Sequence, residues 1–113
     1  MNKDDRLYLV LITECIARIE QYTAGGKDVF LHDTMTQDAV LRNLHILSES
    51  TQRLSETLKG QRKEVDWRLI AAFRNVVEHD YLGIDYAQIW DIVEHDLPDL
   101  KQKVAVILAD LNG

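Results

Sequence analysis

Apolar residues recur along this chain at helical intervals, and no stretch shows convincing strand alternation. From about Lys3 to Gln21, Leu7, Leu11, Cys15 and Ile19 return every four residues with Val10 and Ile12 beside them, and Gly25–Gly26 mark the end. The connector KDVFLHD supplies Val29, Phe30 and Leu31, predicted to tuck back onto the core as an anchor. A long second helix is expected from about Thr36 to Leu58. Its apolar positions Val40, Leu44, Leu47, Thr51, Leu54 and Leu58 alternate spacings of four and three, the stripe of an antiparallel bundle, and Leu41 and Ile46 widen it. LKGQRKEV reads as a loop, with Gly60 as a stop signal. Asp66 then caps a third helix that starts at Trp67, runs through Ile70, Ala71, Phe73 and Val77, and is broken by Gly83. Asp85 caps a fourth, Tyr86 to about Asp96, with Ile89, Trp90 and Val93 inward. Pro98 suits the first turn of a fifth segment, Asp99 to Asp110, after a bend at Leu97. The expected fold is all-α: one domain, 1–113, built as an antiparallel bundle of four to five helices joined by short loops.

Composition narrows the class further. Five Gly and one Pro argue against both a turn-rich β chain and disorder. The single cysteine, Cys15, excludes an internal disulfide, suits a reducing cytoplasm, and falls on the apolar stripe as a small buried hydrophobe. The longest apolar run, Leu7–Ile12 interrupted by Tyr8, is too short to span a membrane. MNKDDR does not begin like a signal peptide, so a cytoplasmic protein is expected. A net charge of −6 disfavours nucleic acid as a partner, but the uneven distribution of that charge weakens the objection. From Arg53 to Arg74, six basic residues oppose three acids; from Glu78 to Asp110, eight acids oppose Lys101 and Lys103. One side of the surface is suited to phosphate, and the other repels it.

The tetrapeptide VEHD occurs at Val77–Asp80 and again at Val93–Asp96. Only the first sits in RNVVEHDY, which gathers Arg74, Asn75, His79 and Tyr81 within eight residues. On an ideal helix Asn75 and His79 share a face, whereas Arg74 and His79 differ by about 140° in direction. The pair converges if the helix ends or loosens near Glu78, or if a second subunit completes the site. Such a pair suits RNA cleavage by the ribose 2′-hydroxyl: a histidine moves the protons and a guanidinium stabilises the phosphorane, with no metal required. Spacing alone favours a blander reading, an exposed helix end with an Arg–Glu pair.

RNVVEHDY resembles the motif of the HepT toxins, a branch of the HEPN helical ribonucleases, in which arginine, four residues, histidine, one residue and tyrosine follow in order. The likeness extends through TQDAVLRNLHILSES, VDWRLIAAFRN and DYAQIWDIVEHDLPDLK, roughly Thr36 to Lys101. It implies an HEPN-like homodimer with an RNA-cleaving cleft near the subunit interface. Arg74 and His79 would be catalytic, Asn75 would support them, and Tyr81 would accept AMP. The implied partner is an MntA-like nucleotidyltransferase antitoxin that uses ATP for this modification; the toxin itself needs no cofactor. Phosphates added at Tyr81 would place negative charge where RNA phosphate must sit. Two positions depart from the family pattern: His45 stands where Glu is usual, and Ser48 where Gly is usual.

Other candidates read as structure. His95 has no arginine in register and is expected as an exposed helix-end residue. His32, His45 and His79 lack the convergent spacing of a zinc site, so no metal is expected. Trp67 and Trp90 fall at core spacing. The rival to the toxin is a non-catalytic helical module that pairs with a nucleotidyltransferase and presents or positions its substrate.

Overall fold

A computed structural model of the chain describes residues 3–78 and 83–112, apart from the side chains of Lys3, Val77 and Glu78. The described residues form helices and connecting turns: α1 (Lys3–Tyr22), α2 (Lys27–His32), α3 (Thr34–Gln52), α4 (Glu56–Gln61), α5 (Trp67–Glu78), α6 (Tyr86–Asp91) and α7 (Leu97–Asn112). The all-α expectation holds. α3 packs against both α1 and α5, and α1 packs against α7. Contacts of Arg6 with Asn112 and of Lys101 with Glu20 set α1 and α7 antiparallel. Among the described residues, no helix is long and apolar enough to cross a membrane.

The inward face of α1 differs from the expected stripe. Asp5, Leu9, Ile12, Ile16 and Ile19 are buried, while Leu7 is 54% exposed. A strict four-residue repeat drifts by about 40° per step, whereas alternating steps of four and three stay on one face. Cys15 is fully buried, as expected. Burial pushes its thiol up; Arg18 opposes that shift and Glu14 adds to it, so the sulfur is held as an inert thiol.

The long second helix is two helices. Its stripe is right, since Val40, Leu44, Leu47, Thr51, Leu54 and Leu58 are all buried. The backbone nevertheless breaks between Gln52 and Glu56. Ser55 explains the break. Its hydroxyl accepts from the Leu58 amide at 3.1 Å, capping α4, and its own amide and hydroxyl donate to buried Asp5 at 2.8 and 2.6 Å. At the other end, Asp33 caps α3 by accepting from the Met35 amide at 3.1 Å, two residues earlier than the expected start.

The connector is itself a helix, α2, preceded by Gly26 at φ 94°. Phe30 is fully buried, while the neighbouring Val29 is 48% exposed. The Phe30 ring lies 5.7 Å from that of Trp90 and 6.1 Å from that of Tyr86, and its carbonyl accepts from Gln37 Nε2 at 3.0 Å. This cluster ties α2 to α3 and α6.

Pro98 lies in the first turn of α7, as expected, but no loop separates that helix from α6. From Tyr86 to Asn112 the backbone stays helical, with a wider turn at Ile92–Asp96 where the Leu97 amide donates to the Ile92 carbonyl, five residues back. Proline cannot donate to the Glu94 carbonyl and its ring crowds that oxygen; one widened turn absorbs the misfit without a break.

Candidate functional site

Burial of Ile70 and Phe73 fixes the rotation of α5. Arg68, Ala72 and Asn75 consequently face solvent, and Ala71 and Arg74 lie at the edge. The Asp66 carboxylate caps the helix by accepting from the Leu69 amide at 3.1 Å. Trp67 is half-buried, its indole donating to the Arg62 carbonyl at 3.0 Å, so it braces the entry to α5.

Arg74 leans toward α3. Its Nη1 lies 3.1 Å from Glu49 Oε1 and donates to Gln52 Oε1 at 3.2 Å. An open groove of about 560 Å³ runs beside this contact, lined by Gln52, Arg68, Ala71, Ala72, Arg74 and Asn75. Two small alanines and two arginines are among its lining residues. Asn75 also borders a second depression of about 270 Å³, formed with Val76, Gly83, Asp85 and Gln88. Gly83 adopts φ 86°, a left-handed conformation that favours glycine. Arg74 and Asn75 thus flank one groove. The other two expected site residues, His79 and Tyr81, lie outside the described residues.

Charge around the groove is more balanced than the run of basic residues suggests. Lys59 pairs with Glu56, Arg62 with Glu64 and Asp110, and Arg74 with Glu49. Among the described residues Arg53, Lys63 and Arg68 form no ion pair, and of these Arg68 lines the groove. Beyond α5, the acidic wide turn and α7 hold Asp96. Burial raises its carboxyl pKa, His95 opposes that shift, and Asp99 and Asp91 reinforce it. This region opposes phosphate.

His95 and Trp90 fall where the pattern put them. His95 is exposed and lies 3.6 Å from Glu94. Trp90 is buried. His32 is exposed and hydrogen-bonds the Asp28 carbonyl through Nδ1 at 2.8 Å, and His45 is half-buried. Sequence reasoning missed Glu49 and Gln52. They stand between apolar stripe positions, and nothing local to α3 signals that an arginine from another helix reaches them.

An all-helical domain with a cation-lined groove between two packed helices is the class defined by the fold and site. The family follows from comparison: residues 12–107 match the ribonuclease HepT-like family, and the chain belongs to it. It is similar to a Thermococcus cleftensis protein named a probable ribonuclease HepT, 36% identical over 91% of this chain and 94% of that one. A longer Methanocaldococcus jannaschii protein, whose name pairs gamma-glutamylcyclotransferase with a candidate RNase, is 32% identical over 99% of this chain. The chain spans 51% of that relative's length. A chain from a crystal structure of a toxin–antitoxin with AMP-PNP superposes at a TM-score of 0.71, with 24% identity, over 95% of this chain and 98% of that one. That likeness establishes a shared fold.

Proposed function

We propose that this protein is the toxin of a toxin–antitoxin pair: a metal-independent endoribonuclease that uses Arg74 and His79 and is silenced by AMP on Tyr81. Membership of the ribonuclease HepT-like family across residues 12–107 carries the reading. The position of Arg74 and Asn75 on one open groove supports it.

The chemistry is a transesterification. His79 takes the proton from a ribose 2′-hydroxyl, whose oxygen attacks the adjacent phosphorus. The Arg74 guanidinium neutralises charge building on the non-bridging oxygens. The bond from phosphorus to the 5′-oxygen breaks, that oxygen takes a proton, and a cyclic phosphate and a 5′-hydroxyl result. Asn75, a neutral hydrogen-bonding amide on the groove, supports the pair. Two copies of the chain would place two Arg74–His79 pairs on one RNA groove as a homodimer. The partner is a nucleotidyltransferase antitoxin that moves AMP from ATP onto the Tyr81 hydroxyl and releases pyrophosphate; the added phosphate competes for Arg74.

The test is RNA cleavage in EDTA by protein purified without its partner. Wild type and His95→Ala are expected to cut, and Arg74→Ala and His79→Ala to lose at least about a hundredfold with the fold intact. Cleavage by His79→Ala at the wild-type rate would falsify the assignment. If unmodified wild type is inert, the non-catalytic module that positions a substrate for the nucleotidyltransferase takes its place.

A further inference from the structure

Arg74 is held from α3 by two acceptors on one turn. Glu49 and Gln52, three residues apart, both reach its Nη1, at 3.1 and 3.2 Å. The helix that presents them is locked by buried Leu47 on one side of Glu49 and buried Thr51 on the other. Their backbone positions are therefore as rigid as the core. The contact itself is at the wall of the groove: the Arg74 side chain is 39% exposed and the Glu49 side chain 32%.

Two consequences follow from this geometry. A guanidinium is a rigid planar fork, so fixing one end fixes the direction of the rest, whereas an untethered arginine spreads over many rotamers. The same carboxylate also offsets the arginine's charge at contact distance, which weakens the field a phosphate meets on entering. An ion pair this exposed contributes little to stability, so a purely structural tie gives small effects on unfolding and none on turnover.

We infer that Glu49, assisted by Gln52, is a positioning residue for Arg74, aiming the guanidinium at a phosphate in the groove between α3 and α5 while lowering the affinity of that groove for RNA. The functional half of this inference rests on the ribonuclease reading above.

The experiment compares wild type, Glu49→Ala, Glu49→Gln and Arg74→Ala for kcat and KM on a short single-stranded RNA. In parallel, the mobility of the Arg74 Nε–H group is followed by nitrogen-15 NMR without RNA. Glu49→Ala should lose about tenfold or more in kcat, because a misaimed group costs rate, while KM falls because a negative charge has left the groove. Glu49→Gln keeps an acceptor oxygen and should recover most of kcat while keeping the lowered KM, and the KM effect should fade at high salt. The Arg74 side chain should be more mobile in Glu49→Ala than in wild type and as ordered as wild type in Glu49→Gln. The inference is overturned if Glu49→Ala keeps kcat within about twofold of wild type while Arg74→Ala is inactive, or if Glu49→Gln rescues nothing. If Arg74→Ala cleaves like wild type, the ribonuclease reading fails instead, and the NMR comparison alone decides whether Glu49 orders the guanidinium.

Discussion

Replacing Asp5 with alanine removes the contact that joins the start of α1 to the junction of α3 and α4. Asp5 is 2% exposed, and its two carboxylate oxygens accept from the Ser55 amide at 2.8 Å and the Ser55 hydroxyl at 2.6 Å. That hydroxyl oxygen also accepts from the Leu58 amide at 3.1 Å, so one carboxylate orients the residue that ends α3 and begins α4. Hydrogen bonds to a charged group contribute about 1.5–3 kcal/mol each, and a buried donor left without a partner costs about 1–3 kcal/mol. These losses overlap, since the freed hydroxyl can turn toward another acceptor while the amide cannot. We expect Asp5→Ala to lose about 3 kcal/mol, equivalent to a Tm drop of roughly 10 °C in a domain of this size. Asp5→Asn retains an oxygen for the Ser55 amide and should lose only about 1 kcal/mol. Urea unfolding followed by far-UV circular dichroism gives both values, with exposed Asp38→Ala as the surface control, expected within about 0.5 kcal/mol of wild type. If Asp5→Ala is no less stable than Asp38→Ala, the clamp does not hold the junction and the break in α3 needs another cause.

Phe30→Ala should cost about 3–5 kcal/mol in urea unfolding, because a fully buried ring is lost where α2, α3 and α6 meet; a loss under about 1 kcal/mol would mean that α2 is not an anchor. Asp96→Asn should raise Tm at pH 7. Burial, with Asp99 and Asp91 adding to it and His95 opposing, puts the folded pKa of Asp96 above its unfolded value of 3.8. Protonation therefore favours the fold, and the wild type loses stability as pH rises through the folded pKa. The gain from Asp96→Asn should shrink as pH falls through the folded pKa and be gone below about 4, and a mutant less stable than wild type at pH 7 would contradict this.

The bundle was legible in the sequence because helical burial leaves a periodic trace. The stripe from Val40 to Leu58 identified the buried side of α3 and α4 residue by residue, and Asp66 and Asp85 marked helix starts through their local capping chemistry. RNVVEHDY and its flanks were enough to assign the family. Periodicity reports which side chains face inward, and that is insensitive to a local change of backbone course. The break at Ser55 keeps the apolar register, so the pattern ran through it unmarked, whereas at Pro98 the sequence marked a bend and the backbone instead takes a widened turn. The first depends on Asp5, fifty positions earlier in the chain, and the second on whether packing holds α6 and α7 in line. Arg74 was visible as a candidate from its neighbours in sequence. That it is held by Glu49 and Gln52 was decided by the packing of α5 on α3, because a hydrogen bond between helices depends on distances in space that no spacing along one helix encodes.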